Sequence, residues 1–408
     1  MKSWKTTGGQ RRAAALVQLA CFIPLLALAI QSEGDSPLPD DPLQGRILFE
    51  SKSCIQCHGI GGKGPSIGPS LGEGRFQGTF LDLGAALWNH VPAMSVSFDS
   101  ARLPWPQLTG NEAAELMVFL YFIDYLGRPG GAADGRAFFE GRGCASCHNI
   151  GSGPAKPGPA LVELRRFASP LHVAQEIWNH GPSMFERMRQ MDVAAPRFEP
   201  GDLADLSAYI RQEAGSGNHQ ALLSVPGNPN RGRGLFAAKG CSICHGRNGR
   251  GSGGGPDLKT FELRRSAEAI AGTMWNHALK MDDAMRMRGI GWPTFQDAEL
   301  ADLVAFLYFL PFLDPPGDPQ RGSQVFSQRS CAECHGSSGE MDPAAAASRA
   351  PPLAGREAVK SPAALVAAMW NHSPLMREAI LGQGRPWPEL TGGDLRDLRA
   401  YLAQKKED

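Results

Sequence analysis

A Cys-x-x-Cys-His pentapeptide occurs four times in the chain, at Cys54-Ile-Gln-Cys57-His58, Cys144-Ala-Ser-Cys147-His148, Cys241-Ser-Ile-Cys244-His245 and Cys331-Ala-Glu-Cys334-His335. Eight of the nine cysteines sit in these motifs, and the ninth, Cys21, lies in an N-terminal leader. A zinc half-site would need two pairs to share one metal and would not require a histidine directly after every second cysteine. A thioredoxin-type pair should open a helix after a strand, and no βαβ pattern surrounds any copy. A plain structural disulfide leaves the histidine unexplained. The spacing suits covalent attachment of c-type haem, in which the two thiols form thioethers and the adjacent imidazole reaches the iron. The sequence therefore predicts four haem c groups, with His58, His148, His245 and His335 as their proximal ligands.

With 41 basic and 41 acidic residues the formal charge is zero, which gives no footing for nucleic acid or another polyanion. Lys2, Lys5, Arg11 and Arg12 precede an apolar run from Ala13 to Ile30, broken only by Gln18 and Pro24, in the pattern of an export signal. Ala27-Leu28-Ala29 supplies a cleavage site, and a polar, Pro-rich tether follows. An uncleaved run of this length, close to the lower limit for spanning a bilayer, would instead hold the protein at the membrane. Either way the expected location is the periplasm.

Repetition extends well beyond the pentapeptides. Nine residues before each first cysteine stands a glycine (Gly45, Gly135, Gly232, Gly322), and five before it a phenylalanine (Phe49, Phe139, Phe236, Phe326). One helical turn apart, they predict a short helix on which the glycine admits a second helix and the ring packs beside it. Asp41-Pro42, Asn228-Pro229 and Asp318-Pro319 predict capped helix starts. Each repeat ends in a further helix carrying Phe119, Tyr209, Phe306 or Tyr401, opened at Thr109, Thr294 and Thr391 by capping-box patterns of varying fidelity. The expected architecture is all-α: leader and tether over 1–40, then tandem domains over 41–128, 129–225, 226–315 and 316–408.

The closing helices of repeats 1 and 3, around Leu116–Leu126 and Leu303–Leu313, are apolar nearly all round, whereas those of repeats 2 and 4 carry polar faces. A helix without a polar face is normally buried on several sides. The expectation is a duplicated two-haem unit, with repeats 1 and 2 packed as one pair, 3 and 4 as the other, and Ala214 to Pro226 as the linker.

A second constellation recurs as Trp88-Asn-His90-Val-Pro-Ala-Met94, Trp178-Asn-His180-Gly-Pro-Ser-Met184, Trp275-Asn-His277-Ala-Leu-Lys-Met281 and Trp370-Asn-His372-Ser-Pro-Leu-Met376. Histidine and methionine are both candidates for the sixth iron position, and both cannot serve one iron. A further tryptophan recurs in Trp-Pro steps at Trp105, Trp292 and Trp387, whereas repeat 2 reads Ala195-Pro-Arg197-Phe198. The simplest expectation for Trp88, Trp178, Trp275 and Trp370 is that they line the haem face or cap the core, with an indole N–H on a propionate; in repeat 2 Arg197 would meet a propionate in place of the second tryptophan.

Together with Gly68-Pro-Ser-Leu71, Gly158-Pro-Ala-Leu161, Gly255-Pro-Asp-Leu258 and the degenerate Ala350-Pro-Pro-Leu353, these features make nearly the whole chain after the leader resemble class I cytochromes c. That resemblance implies small helical domains around one haem each. It makes Pro69, Pro159, Pro256 and Pro351 carbonyl acceptors for the proximal imidazoles, and it lays Met94, Met184, Met281 and Met376 on the axial position. His90, His180, His277 and His372 stand as the rival set. Such domains bury too little apolar side chain to fold well alone, so the haem should complete each core.

The implied function is electron transfer, without a catalytic site, between a donor and an acceptor protein in the periplasm or at its membrane face. The alternative is a permanent haem subunit of a larger dehydrogenase or reductase complex. A haem enzyme or gas sensor is the third reading, disfavoured because every repeat offers a sixth ligand.

Overall fold

The computed structural model describes residues 38, 41–65, 67–72, 76, 78–151, 153–161, 164, 169–213, 226–251, 253–259, 266–336 and 350–404. The predicted export leader with Cys21 and most of the predicted linker lie outside these. Among the described residues there are helices and isolated bridges at Ile60, but no strands, as the all-α expectation requires. None of these helices is long and apolar enough to cross a membrane.

Each repeat has the same skeleton. A first helix (Gln44–Ser51, Ala132–Gly141, Pro229–Ala238, Pro319–Gln328) leads into a short helical turn at the Cys-x-x-Cys-His motif. A loop follows, then a middle helix, then a closing helix (Gly110–Phe122, Asp202–Glu213, Glu299–Phe309, Gly392–Ala403). The middle helix breaks at the motif histidine in repeats 1 and 2 (Phe80–Asn89 with Val91–Ala101; Pro170–Asn179 with Gly181–Gln190). It runs through as Ala267–Met287 and Pro362–Gly382 in repeats 3 and 4.

First and closing helices cross at the predicted glycines. A Cβ on Gly45, Gly135, Gly232 or Gly322 would collide with the carbonyl oxygen of Glu115, Asp205, Asp302 or Asp397 on the closing helix. One turn along, the paired rings meet: Phe49 on Phe119, Phe139 on Tyr209, Phe236 on Phe306 and Phe326 on Tyr401, with centroids 5.4–5.9 Å apart. In repeats 2 to 4 a buried aspartate ties the crossing further. Asp205, Asp302 and Asp397 accept the backbone N–H of Gly131, Asn228 and Asp318 at 2.7–2.9 Å, and pair with Arg128, Arg231 and Arg321.

Burial alone would raise the Asp205 carboxyl, but Arg128 and the Gly131 N–H outweigh it and hold it below the usual carboxylate range. A lowered carboxylate contributes stability that is complete above its unfolded value of about 3.9 and is lost as pH falls through the folded one. Asp205→Asn should therefore cost about 1–3 kcal/mol near neutrality and flatten the acid limb of a stability-versus-pH curve. An acid limb as steep as the parent's would count against this role.

Capping follows the sequence with exceptions. Thr109 and Thr391 form complete capping boxes with Glu112 and Asp394, and Thr79 forms an unpredicted one with Asp82. Thr294 does not cap: its closing helix starts later, at Glu299, whose carboxylate accepts the Gln296 N–H. Asn228 and Asp318 cap their prolines as expected, but Asp41 caps a turn, its Oδ1 accepting the Leu43 N–H before the helix begins at Gln44.

The predicted pairing of repeats is overturned. Among the described residues, the helix-to-helix packing between repeats joins 1 to 4 and 2 to 3, and none of comparable extent joins 1 to 2 or 3 to 4. The apolar closing helices are buried as their composition requires, but on one another across a 1–3 contact. Tyr121 and Tyr308 pack at 5.2 Å and exchange hydrogen bonds, Tyr308 Oη donating to the Tyr121 carbonyl at 2.7 Å and Tyr121 Oη to that of Tyr308 at 3.4 Å. Phe312 packs on Tyr121 and Phe80 beside them. The duplication itself survives, because exchanging 1 with 3 and 2 with 4 maps the 1–4 contact onto 3–2 and leaves the 1–3 contact in place.

Candidate haem sites and the clasps between repeats

The residue before each first cysteine (Ser53, Gly143, Gly240, Ser330) has positive φ, between 62° and 82°. This left-handed step ends the first helix and swings the motif into its own turn, a conformation glycine adopts without penalty. The basic residue before it fixes the corner in repeats 1 and 3: Lys52 Nζ reaches Glu112 and the Gln107 carbonyl, and Lys239 Nζ reaches Glu299 and the Thr294 carbonyl. The Ser/Gly and Lys/Arg positions recur at fixed register in all four repeats, a signal overlooked in the sequence reading.

All eight motif cysteines are half-buried and none is in a disulfide. Burial pushes the first thiol of each pair, Cys54, Cys144, Cys241 and Cys331, up to about 11. Among the described residues no three His, Cys, Asp or Glu side chains gather to hold a metal ion, so the pairs do not converge on a shared one.

The imidazoles are oriented as expected. Nδ1 of His58, His148, His245 and His335 faces the carbonyl of Pro69, Pro159, Pro256 and Pro351 at 3.0, 2.9, 3.1 and 2.8 Å. With Nδ1–H donating there, Nε2 is left with its lone pair for iron. The glycine before the proline lies flat against the ring in repeats 1 to 3: a Cβ on Gly68 or Gly158 would stand 2.5 Å from the imidazole Cε1, and one on Gly255 2.8 Å from Nδ1. Repeat 4 has Ala350 there and spans 16 residues from histidine to proline instead of 11, and the longer loop reaches the same hydrogen bond.

Met94, Met184, Met281 and Met376 are partly buried and pack against the apolar core. The rival histidines differ: His90, His180 and His372 are exposed and His277 is intermediate. Each turns its Nδ1 back to the carbonyl four residues earlier, that of Ala86, Glu176, Thr273 or Ala368, at 2.6–3.0 Å. His172, outside the repeated pattern, is half-buried, and burial lowers its pKa.

Trp88, Trp178, Trp275 and Trp370 are buried in the apolar core, one of the two placements expected of them, and only the assignment of their N–H groups is corrected. Their indole N–H groups do not point to sites for propionates but cross to carbonyls of another repeat. Trp88 Nε1 donates to Pro388 at 2.8 Å and Trp370 Nε1 to Pro106 at 2.7 Å; Trp178 donates to Pro293 and Trp275 to Pro196, both at 2.8 Å. The following asparagine acts as a backbone mimic. Asn89 donates to the Leu390 carbonyl and accepts the Leu390 N–H, and Asn371, Asn179 and Asn276 do the same with Leu108, Phe295 and Phe198. The second tryptophans return the exchange: Trp387 Nε1 donates to the Trp88 carbonyl, Trp105 to Trp370 and Trp292 to Trp178.

The rings stack in consequence, with centroids 4.2 Å apart for Trp88 on Trp387 and for Trp105 on Trp370, and 4.4 Å for Trp178 on Trp292. Repeat 2 has Ala195 where the fourth partner would stand. The buried Phe185 lies 5.0 Å from Trp275 and takes over the ring contact, while Arg197 is exposed.

These sites define tandem helical domains, each pairing a thiol doublet with a carbonyl-oriented histidine. A family model for cytochrome c matches residues 132–213, 229–310 and 319–406, which are repeats 2, 3 and 4. The chain belongs to the cytochrome c family: it is a multihaem c-type cytochrome, and its domains bind haem c covalently and point to electron transfer. Comparison with curated proteins and with solved structures gave no match.

Proposed function

We propose that all four repeats carry haem c and that the protein is an exported tetrahaem electron carrier working between a donor and an acceptor protein in the periplasm. Repeat 1 lies outside the family matches, yet it has the same half-buried thiols, the same His58-to-Pro69 hydrogen bond and the same partly buried methionine as the others. That fourfold recurrence carries the reading. Cys54, Cys57, Cys144, Cys147, Cys241, Cys244, Cys331 and Cys334 would hold the porphyrins. His58, His148, His245 and His335 would bind iron on one side and Met94, Met184, Met281 and Met376 on the other. The methionines are preferred to His90, His180, His277 and His372 because they face the core while the histidines face mostly outward.

The haem supplies a one-electron couple. The chain's part is to keep the proximal imidazole rigid through the proline carbonyl and to cover the opposite side with a polarisable thioether. The test is the mass and spectrum of the exported protein. Four added haem masses and the weak red charge-transfer band of Met-ligated ferric haem are expected. Three haems would remove repeat 1 from the assignment, and absence of the band in the oxidised protein would transfer the sixth position to the histidines. Co-purification of a stoichiometric partner would favour a permanent subunit over a free carrier.

A further inference from the structure

Helix packing joins repeat 4 to 1 and repeat 3 to 2, and none of that extent joins any other two repeats among the described residues. Beyond the Arg128–Asp205 ion pair at the 1–2 junction, the two packed pairs meet through the side chains of repeats 1 and 3. At both outer contacts, the segment that leads into the proposed distal methionine is itself the clasp. Trp88 precedes Met94 by six residues, and its carbonyl and indole are both bonded to repeat 4. Trp370 and Met376 stand in the same relation toward repeat 1, as do Trp178 and Met184 toward repeat 3, while Trp275, six residues before Met281, is bonded to repeat 2 through its indole. At the middle contact, Tyr121 and Tyr308 exchange hydrogen bonds within a packed aromatic cluster.

Electron tunnelling falls off exponentially with distance and is faster through packed, hydrogen-bonded protein than across solvent gaps. We propose that the Trp-Asn clasps and the Tyr121–Tyr308 contact set the neighbours for electron exchange, so that electrons pass along the order 2–3–1–4 and not along the chain. Repeats 2 and 4 are the two ends of this path, and 1 and 3 form its centre. With haem bound in every repeat, each transfer would oxidise one group and reduce the next by a single electron with no bond or proton exchanged, and the chain's part would be the packed, hydrogen-bonded contact between the two repeats. The proposal rests on the four-haem, Met-ligated reading above.

The test uses the full-length holoprotein and the substitutions M94H, M184H, M281H and M376H, each lowering the potential of one haem. Redox titration is followed by NMR of the haem methyl groups. Each variant deletes its own coordinated-methionine methyl resonance, which assigns that haem. A haem kept oxidised by its lower potential leaves an extra positive charge beside its neighbour and shifts the neighbour's potential upward. M376H should shift the repeat 1 haem and leave that of repeat 3 in place. M184H should shift repeat 3 and leave repeat 1 in place. A shift of repeat 3 in M376H, a shift of repeat 1 in M184H, or no shift at any neighbour would overturn the order. The two end variants decide independently, so misfolding of one leaves the other as the test. If no methionine resonance disappears, it is the ligand assignment that fails. The order is then decided with the four methionines left in place, where replacing Trp105 and Trp387 together by leucine should slow one intramolecular phase after flash reduction at least tenfold. Unchanged phases would overturn the proposal.

Discussion

Trp88→Ala should destabilise the 1–4 pair by about 3–5 kcal/mol, the range for deleting a large buried aromatic side chain. Trp88 is 6% exposed. Its ring stacks on Trp387, and its N–H satisfies the Pro388 carbonyl. Truncation leaves both a void and an unpaired carbonyl at a contact that also depends on Asn89 holding both backbone groups of Leu390. Trp88→Phe retains much of the packing and should recover more than half of the loss, leaving the hydrogen-bond share. Calorimetry of the holoprotein is the suitable measurement, with transitions treated by domain pair because a chain of several domains need not unfold in one step. A loss below about 1 kcal/mol would mean that the clasp contributes little to holding the repeats together.

That clasp was the part of the molecule least legible from the sequence. Within a repeat, fixed spacing forecast a close helix crossing from a glycine and a phenylalanine one turn apart, and the resemblance to class I cytochromes c implied the hydrogen bond from histidine to the downstream proline carbonyl. These contacts join elements of the same short segment. The clasp uses the same Trp-Asn in every repeat and nearly the same Trp-Pro-x-Leu or Phe acceptor, so each motif could serve any other, and composition cannot choose among partners. The apolar closing helices announced burial correctly. They did not say that Tyr121 and Tyr308 would meet each other. Even the one irregularity, Ala195 in place of tryptophan, gives no address, because the compensating Phe185 lies in the same repeat while the ring it supports, Trp275, lies in another. An indole beside a cofactor motif suggests a propionate as the partner of its N–H; only the fold shows backbone carbonyls of a second repeat within reach.

Gly232→Ala is expected to cost about 2–4 kcal/mol in repeat 3, at or above the usual range for overpacking a filled core. Exchange of glycine for alanine inside an exposed helix would gain roughly 1 kcal/mol, so the prediction has the opposite sign from helix propensity. The reason is what the new methyl group meets: the Asp302 carbonyl oxygen, inside van der Waals contact, and Phe306 Cβ at 2.8 Å. Neither is the free end of a flexible side chain. Relief requires the first and closing helices to separate, which would loosen the Phe236–Phe306 contact and stretch the bond from the Asn228 N–H to buried Asp302. Because the first helix runs directly into Cys241 and Cys244, the substitution should also lower haem loading in repeat 3. The haem mass count would fall by one in a fraction of molecules while the other repeats stay loaded. Gly234→Ala, two residues along the same helix with nothing near its Cβ, is the control and should be neutral or stabilising. Equal behaviour of the two variants would show that the helix crossing is not the tight contact that this fold requires.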